Sequence, residues 1–211
     1  MAAITSEMIK ELRERAGAGM LDCKKALAET EGDMEAAIDW LRKKGLAAAA
    51  KKSGRAACEG VVTIKINESF NKATMTEVNC EADFVAKNEN FTGFAEEVAD
   101  HIFTVNPSDI DALNTTNING VQFTEHVQTT IGRIGENIVV RRFTSIETSA
   151  NGVVNGYIHG GGKIGVIVAA ACDSQATADA IRDVLKDIAM HGAAMNPPYL
   201  DDTSIPQADI D

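Results

Sequence analysis

The residues of this chain with the most chemistry to offer stand in one short run, Asn79-Cys80-Glu81-Ala82-Asp83-Phe84-Val85. A carboxylate beside a large apolar ring can serve two ends. It can compete for donors or for a divalent cation on a partner while the ring seats in a pocket. More ordinarily, it caps a helix while the ring fills a core, and residue types alone favour that second reading. The cysteines Cys23, Cys58, Cys80 and Cys172 have neither metal-site nor disulfide-scaffold spacing, and their apolar or helical surroundings suit reduced core thiols. A thiol enzyme using Cys80 or Cys172 with His159 would need an exposed, acidified sulfur, and no basic cluster adjoins either cysteine. No Gly-x-x-x-x-Gly-Lys-Ser/Thr run occurs, and Gly160-Gly161-Gly162 reads as a hairpin turn, so the chain is not expected to be a nucleotide-binding GTPase itself. Met20 and Leu21, beside Gly17 and Gly19 and after Lys10 and Arg13, compose either an apolar anchor with a basic rim or the core of a small module.

Charge narrows the partners. The chain carries a formal net charge of -11; residues 1–55 hold 11 basic against 9 acidic residues and the remainder 9 against 22. Such an acidic major part argues against nucleic acid, because phosphate neutralisation needs clustered Lys and Arg. No apolar run approaches the roughly 20 residues of a membrane span. The N-terminus, with Glu7 and Glu11 in an amphipathic pattern, suits neither a signal peptide nor a transit peptide, and the expected location is the bacterial cytoplasm.

The elements that must position these residues follow from periodicity. Ile4, Met8, Leu12 and Ala16 share a face after a Thr5 or Ser6 cap, and Gly17-Ala18-Gly19 ends that helix. Leu21 to Glu29 predicts a second helix. Asp33 caps a third, with Met34, Ala37, Ile38 and Leu41 on one side and Gly45 as its stop. Beyond Gly60, the alternation of Val62, Ile64 and Ile66, then that of residues 73–80 after a polar turn at 67–72, predicts an antiparallel hairpin. A helix bearing Phe91, Phe94, Ala95, Val98 and Ile102 follows. Residues 104–120 then read as a loop, Phe123 to Ile134 as a helix and residues 137–143 as a strand.

An internal repeat organises the rest. Gly60-Val61-Val62 leads to Cys80, and Gly152-Val153-Val154 leads to Cys172, at the same spacing, each copy entering an amphipathic helix; the second carries Ala180, Ile181, Val184, Leu185, Ile188 and Ala189. After His191 comes Asn196-Pro197-Pro198, then an acidic tail to Asp211. The expected fold is α+β: a three-helix domain (1–45), a linker (46–59), and a core of duplicated strand-strand-helix subdomains (60–145 and 146–198), the second incomplete. Residues 199–211 are a tail or the start of a further insertion.

Leu12-Arg13-Glu14-Arg15-Ala16-Gly17-Ala18-Gly19-Met20-Leu21-Asp22-Cys23-Lys24-Lys25-Ala26-Leu27 resembles the N-terminal signature of the elongation factor Ts family. Glu77-Val78-Asn79-Cys80-Glu81-Ala82-Asp83-Phe84-Val85-Ala86-Lys87-Asn88 resembles its core signature. Ile134-Gly135-Glu136-Asn137-Ile138 and the stretch from His159-Gly160 to Ile164-Gly165-Val166 extend the likeness to about Pro198. Ala16, Leu21 and Ala82 stand where the family usually has Thr, Met and Thr, and the family usually continues beyond this chain's length. The resemblance implies a ubiquitin-associated-like helical domain, a two-subdomain core and a non-enzymatic exchange factor that releases GDP from elongation factor Tu. It implies a wedge of Asp83, Phe84 and Val85, a docking face of Lys10, Arg13, Met20 and Leu21, and core contacts at Ile134, Gly135 and His159. It implies no cofactor of its own, the Mg-GDP being the partner's, and it leaves room for a homodimer of the complex.

Overall fold

The computed structural model describes residues 4–209, so the last two residues of the acidic tail, Ile210 and Asp211, lie outside the described part. Three helices open the chain, α1 (Ser6–Ala16), α2 (Met20–Glu29) and α3 (Met34–Ala50). Thr5 caps α1 and Asp33 caps α3, each side-chain oxygen accepting from a backbone amide of the first turn, as residues of those types at those positions should. Leu12, Cys23, Ala26, Leu27 and Ala37 are fully buried between the three helices, with Met34, Ile38 and Leu41 packed around them.

Gly45 does not end the third helix, which runs on to Ala50. It lies at a crossing. The helix α7 (Phe123–Ile134) crosses α3 there, and a methyl group added at Gly132 would lie 2.8 Å from the Cα of Gly45. Glycine at 132 lets the α7 backbone touch α3 at Gly45, whose own Cβ position is open, and Arg42 of α3 reaches Glu125 of α7 at 2.7 Å. Gly132→Ala is therefore expected to push the helical module off the core. The overpacking costs roughly 1–3 kcal/mol, against a helix-propensity gain of up to about 1 kcal/mol. The expected readouts are a lower melting temperature and faster proteolysis in the segment between α3 and the first strand; unchanged values for both would contradict this account of the crossing.

The core begins with β1 (Glu59–Ile66) and β2 (Lys72–Cys80), an antiparallel pair joined on the far side of β2 by β5 (Val139–Glu147) in the order β1-β2-β5. One face is covered by α5 (Glu89–Val105), whose Phe91, Phe94, Ala95, Val98 and Ile102 form the main core with Val61, Val78, Cys80 and Ile131. The other face receives a second hairpin, β6 (Gly152–His159) and β7 (Ile164–Ala171). A Cβ at Gly165 would come within 2.6 Å of Val62 Cγ1, so only glycine lets that hairpin lie so close on the sheet. The last helix, α8 (Gln175–Met195), packs on the hairpin through Ala178 and Leu185 against Val153.

The duplication is visible in the strand register. Gly60 pairs with Asn79, the residue before Cys80; Gly152 pairs with Ala171, the residue before Cys172. The chain is thus an α+β protein with an N-terminal three-helix segment ahead of a strand-helix core.

Several local expectations need correction. Residues 104–120 are not a bare loop: α6 (Ile110–Asn114), capped by Asp109, and the two-residue strand β3 (Asn117–Ile118) lie there, with β4 (Val121–Gln122) completing a small ribbon. Leu113 and Ile118 are buried, anchors too widely spaced to show a period. The third strand starts at Val139 and reaches Glu147, because Thr144, Ser145 and Ile146 continue the ladder against β2 past a bulge at Glu77/Val78. α8 continues beyond His191 to Met195. Cys23 and Cys80 are core thiols, but Cys58 is exposed. Among the described residues no helix is long and apolar enough to cross a membrane.

Candidate functional site

Between the first hairpin and its long helix lies a single helical turn, α4 (Asp83–Ala86), for which the second copy has no counterpart; there the chain passes from β7 through Cys172-Asp173-Ser174 straight into α8. The two neighbours at the start of this turn have opposite fates. Phe84 is 70% exposed, whereas Val85 is buried against the main core with Ala86. Val85 therefore holds α4 down from within the core, and Phe84 is the side chain that the turn presents outward. Phe84 does not fill a core, so the plainer reading of that residue falls away.

Asp83 is exposed beside it, and Lys87, one turn on, donates to its Oδ2 at 3.1 Å. That bond, first among the causes, holds the Asp83 carboxyl below the usual carboxylate range, with Lys163 of the β6–β7 turn a minor contributor. A negative charge next to an exposed ring is thus available throughout the neutral pH range. Asp83 does not cap α4: Ala82 is its N-cap and supplies no side-chain bond.

The corner leading into α4 is tied to the junction of α7 and β5. Glu136 Oε2 accepts from the amides of Glu81 at 3.1 Å and Ala82 at 3.0 Å. In return, Glu81 Oε1 accepts from the amide of Asn137 at 2.6 Å. Asn137 Nδ2 donates to the carbonyl of Arg55 at 2.8 Å, so the segment leaving α3 joins the same knot. Ile134 packs partly buried against the core, and Gly135 caps α7 at φ 90. On the other side, Lys163 pairs with Glu59, the residue facing Cys80, and its amide donates to the carbonyl of His159 at 3.1 Å. His159 is exposed, with Tyr157 Oη at 3.1 Å from its Nδ1. Residues 83–84, 134–135 and 159 therefore gather at one end of the sheet.

The helical module contributes its own apolar face. Met20 is 58% and Leu21 83% exposed at the start of α2, so neither belongs to the module's core; Lys10 and Arg13 are exposed on α1. The turn between the two helices rests on the end of α7, where a Cβ at Gly17 would lie 3.0 Å from Cδ of Arg133. Met20 and Leu21 thus begin α2 just beyond a turn that touches the residue before Ile134-Gly135.

Cys80, the thiol nearest this site, is buried, and burial followed by the Glu136 carboxylate pushes it up to about 11. A thiolate nucleophile there has no support at neutral pH. Glu81, Glu136, Asn137 and Lys163 escaped the sequence reading as site residues. Glu81, Glu136 and Asn137 lie inside the quoted signatures, but their partners are more than 50 residues away and no local pattern announces them.

The family model for Elongation factor TS matches residues 81–211. Elongation factor Ts of a Nitratiruptor species is 55% identical over 204 residues, covering 97% of this chain and 67% of that protein. Elongation factor Ts of Nautilia profundicola is 54% identical over 210 residues, covering 100% of this chain and 68% of the relative. For that of Campylobacter concisus the identity is 49% over 197 residues, 93% of this chain and 56% of the relative. The chain spans about two thirds of the length of the first two relatives and little more than half of the third. With family match, identity and fold in agreement, the chain belongs to the elongation factor Ts family of translation factors.

Proposed function

We propose that this chain is a non-enzymatic guanine-nucleotide exchange factor that binds elongation factor Tu and promotes GDP release in the bacterial cytoplasm. The observation that carries the reading is the exposure of Phe84 beside an ionised Asp83, on a turn anchored by Val85. An exchange factor must bind the nucleotide-free GTPase more tightly than the loaded one, and by reciprocity the nucleotide then weakens the factor equally. Phe84 wedges into the GTP-binding domain and Asp83 competes for donors that hold the partner's Mg²⁺ and phosphates, loosening both. Met20 and Leu21, rimmed by Lys10 and Arg13, dock a second area of that domain, with Ile134, Gly135 and His159 flanking the wedge. The factor needs no cofactor of its own, because the Mg-GDP it acts on is the partner's.

Stopped-flow release of a fluorescent GDP analogue from elongation factor Tu tests this. Release accelerating to a plateau as the chain is titrated is the expected result. A rate that stays at its uncatalysed value at saturating chain would sink the reading.

A further inference from the structure

We infer that Glu136 is a positioning residue for exchange: its carboxylate sets the pose in which α4 presents Asp83 and Phe84. The inference rests on the exchange reading and goes beyond it to a residue that does not touch the partner. The corner from β2 into α4 spans Glu81 and Ala82, whose amides lie past the end of the ladder and have no strand partner. Ala82 has no hydroxyl, and α4 starts without a side-chain cap. A single turn cannot hold its own orientation, since so few backbone bonds are made for the dihedrals fixed. The missing restraint arrives from elsewhere in the chain: one oxygen of Glu136 takes both orphan amides, and Glu81 returns a bond to the amide of Asn137. A carboxylate acceptor makes such bonds stronger than a neutral one does. The two segments are locked reciprocally across the end of the sheet, while Val85 pins the far side of the turn in the core. The ring of Phe84 is then already held in the pose that the exchange step needs, so its ordering is not a cost of that step.

Native-state hydrogen exchange and GDP-analogue release on wild type, Glu136→Ala and Glu136→Gln test this together. The amides of Glu81 and Ala82 are protected in wild type, and Glu136→Ala lowers their protection by roughly tenfold or more. In the same variant the saturated release rate falls by about tenfold, a loss of transition-state and not ground-state contact, while half-saturation moves less. Glu136→Gln keeps an acceptor and recovers most of both. Protection of α5 and the sheet in the same experiment reports whether Glu136→Ala still folds; if it does not, the Gln variant carries the comparison, and full loss of release there with an intact core overturns the geometry claimed for the acceptor. Unprotected Glu81 and Ala82 amides in wild type, or a wild-type plateau with Glu136→Ala, overturn the proposal. Wild type failing to accelerate release strikes the exchange reading instead, and the amide protection still decides whether Glu136 holds the corner before α4.

Discussion

Phe84→Ala is expected to cut the exchange rate by roughly 30- to 700-fold, corresponding to about 2–4 kcal/mol of interaction energy, while leaving the folded protein almost untouched. A phenylalanine docking into a pocket buries about 150–250 Å², worth at most roughly 4–6 kcal/mol before association costs. In the free chain the same ring is mostly in water, so its removal costs folding less than about 0.5 kcal/mol. Val85→Ala should give the mirror result. That side chain is 7% exposed, and truncating it leaves a cavity costing roughly 1–3 kcal/mol of stability, with exchange reduced only as far as α4 loosens. Melting curves and plateau release rates on the two variants make the comparison. Phe84→Ala with wild-type exchange would remove the wedge from the mechanism.

That contrast marks the limit of what the sequence discloses. Phe84 and Val85 are adjacent apolar residues in a run too short to show a helical period, so nothing in their order says which one faces the core. The longer elements were legible because each repeats its signal: α5 places Phe91, Phe94, Ala95, Val98 and Ile102 on one buried face, and α7 does the same with Phe123 and Ile131. The matching glycine-to-cysteine spacings foretold a duplication that the strand register bears out. Gly45 misled because a glycine inside a helix need not stop it, and the close crossing at that point is set by Gly132, 87 positions away. The candidate site was legible as two signatures but not as one place. What joins them is a pair of carboxylates bonding to amides 54 to 56 residues distant, and the Gly17 turn against Arg133.

The helical module should answer to mutation differently from the wedge. Met20→Ala combined with Leu21→Ala is expected to weaken association with elongation factor Tu by roughly 10- to 100-fold, the loss of a small apolar hot spot. The release rate at saturation should stay near wild type, because these side chains sit on a separate set of helices and serve binding of every nucleotide state alike, which raises the half-saturating concentration without slowing the step that follows. Stability should hold as well, since the module's core is filled by Leu12, Cys23, Ala26, Leu27 and Ala37 without them. Lys10→Ala with Arg13→Ala probes the same surface through charge. Both side chains are exposed, so the contribution expected of them is steering: the association rate should fall several-fold at low salt and far less once salt shortens the screening length to about 8 Å or below. Measuring association kinetics at two ionic strengths separates the pairs, the apolar variant losing affinity equally at both and the basic variant mainly at the lower. Equal losses at both salts for the basic pair would show direct contacts in place of steering, and a fallen plateau for the apolar pair would make this face part of the exchange step itself.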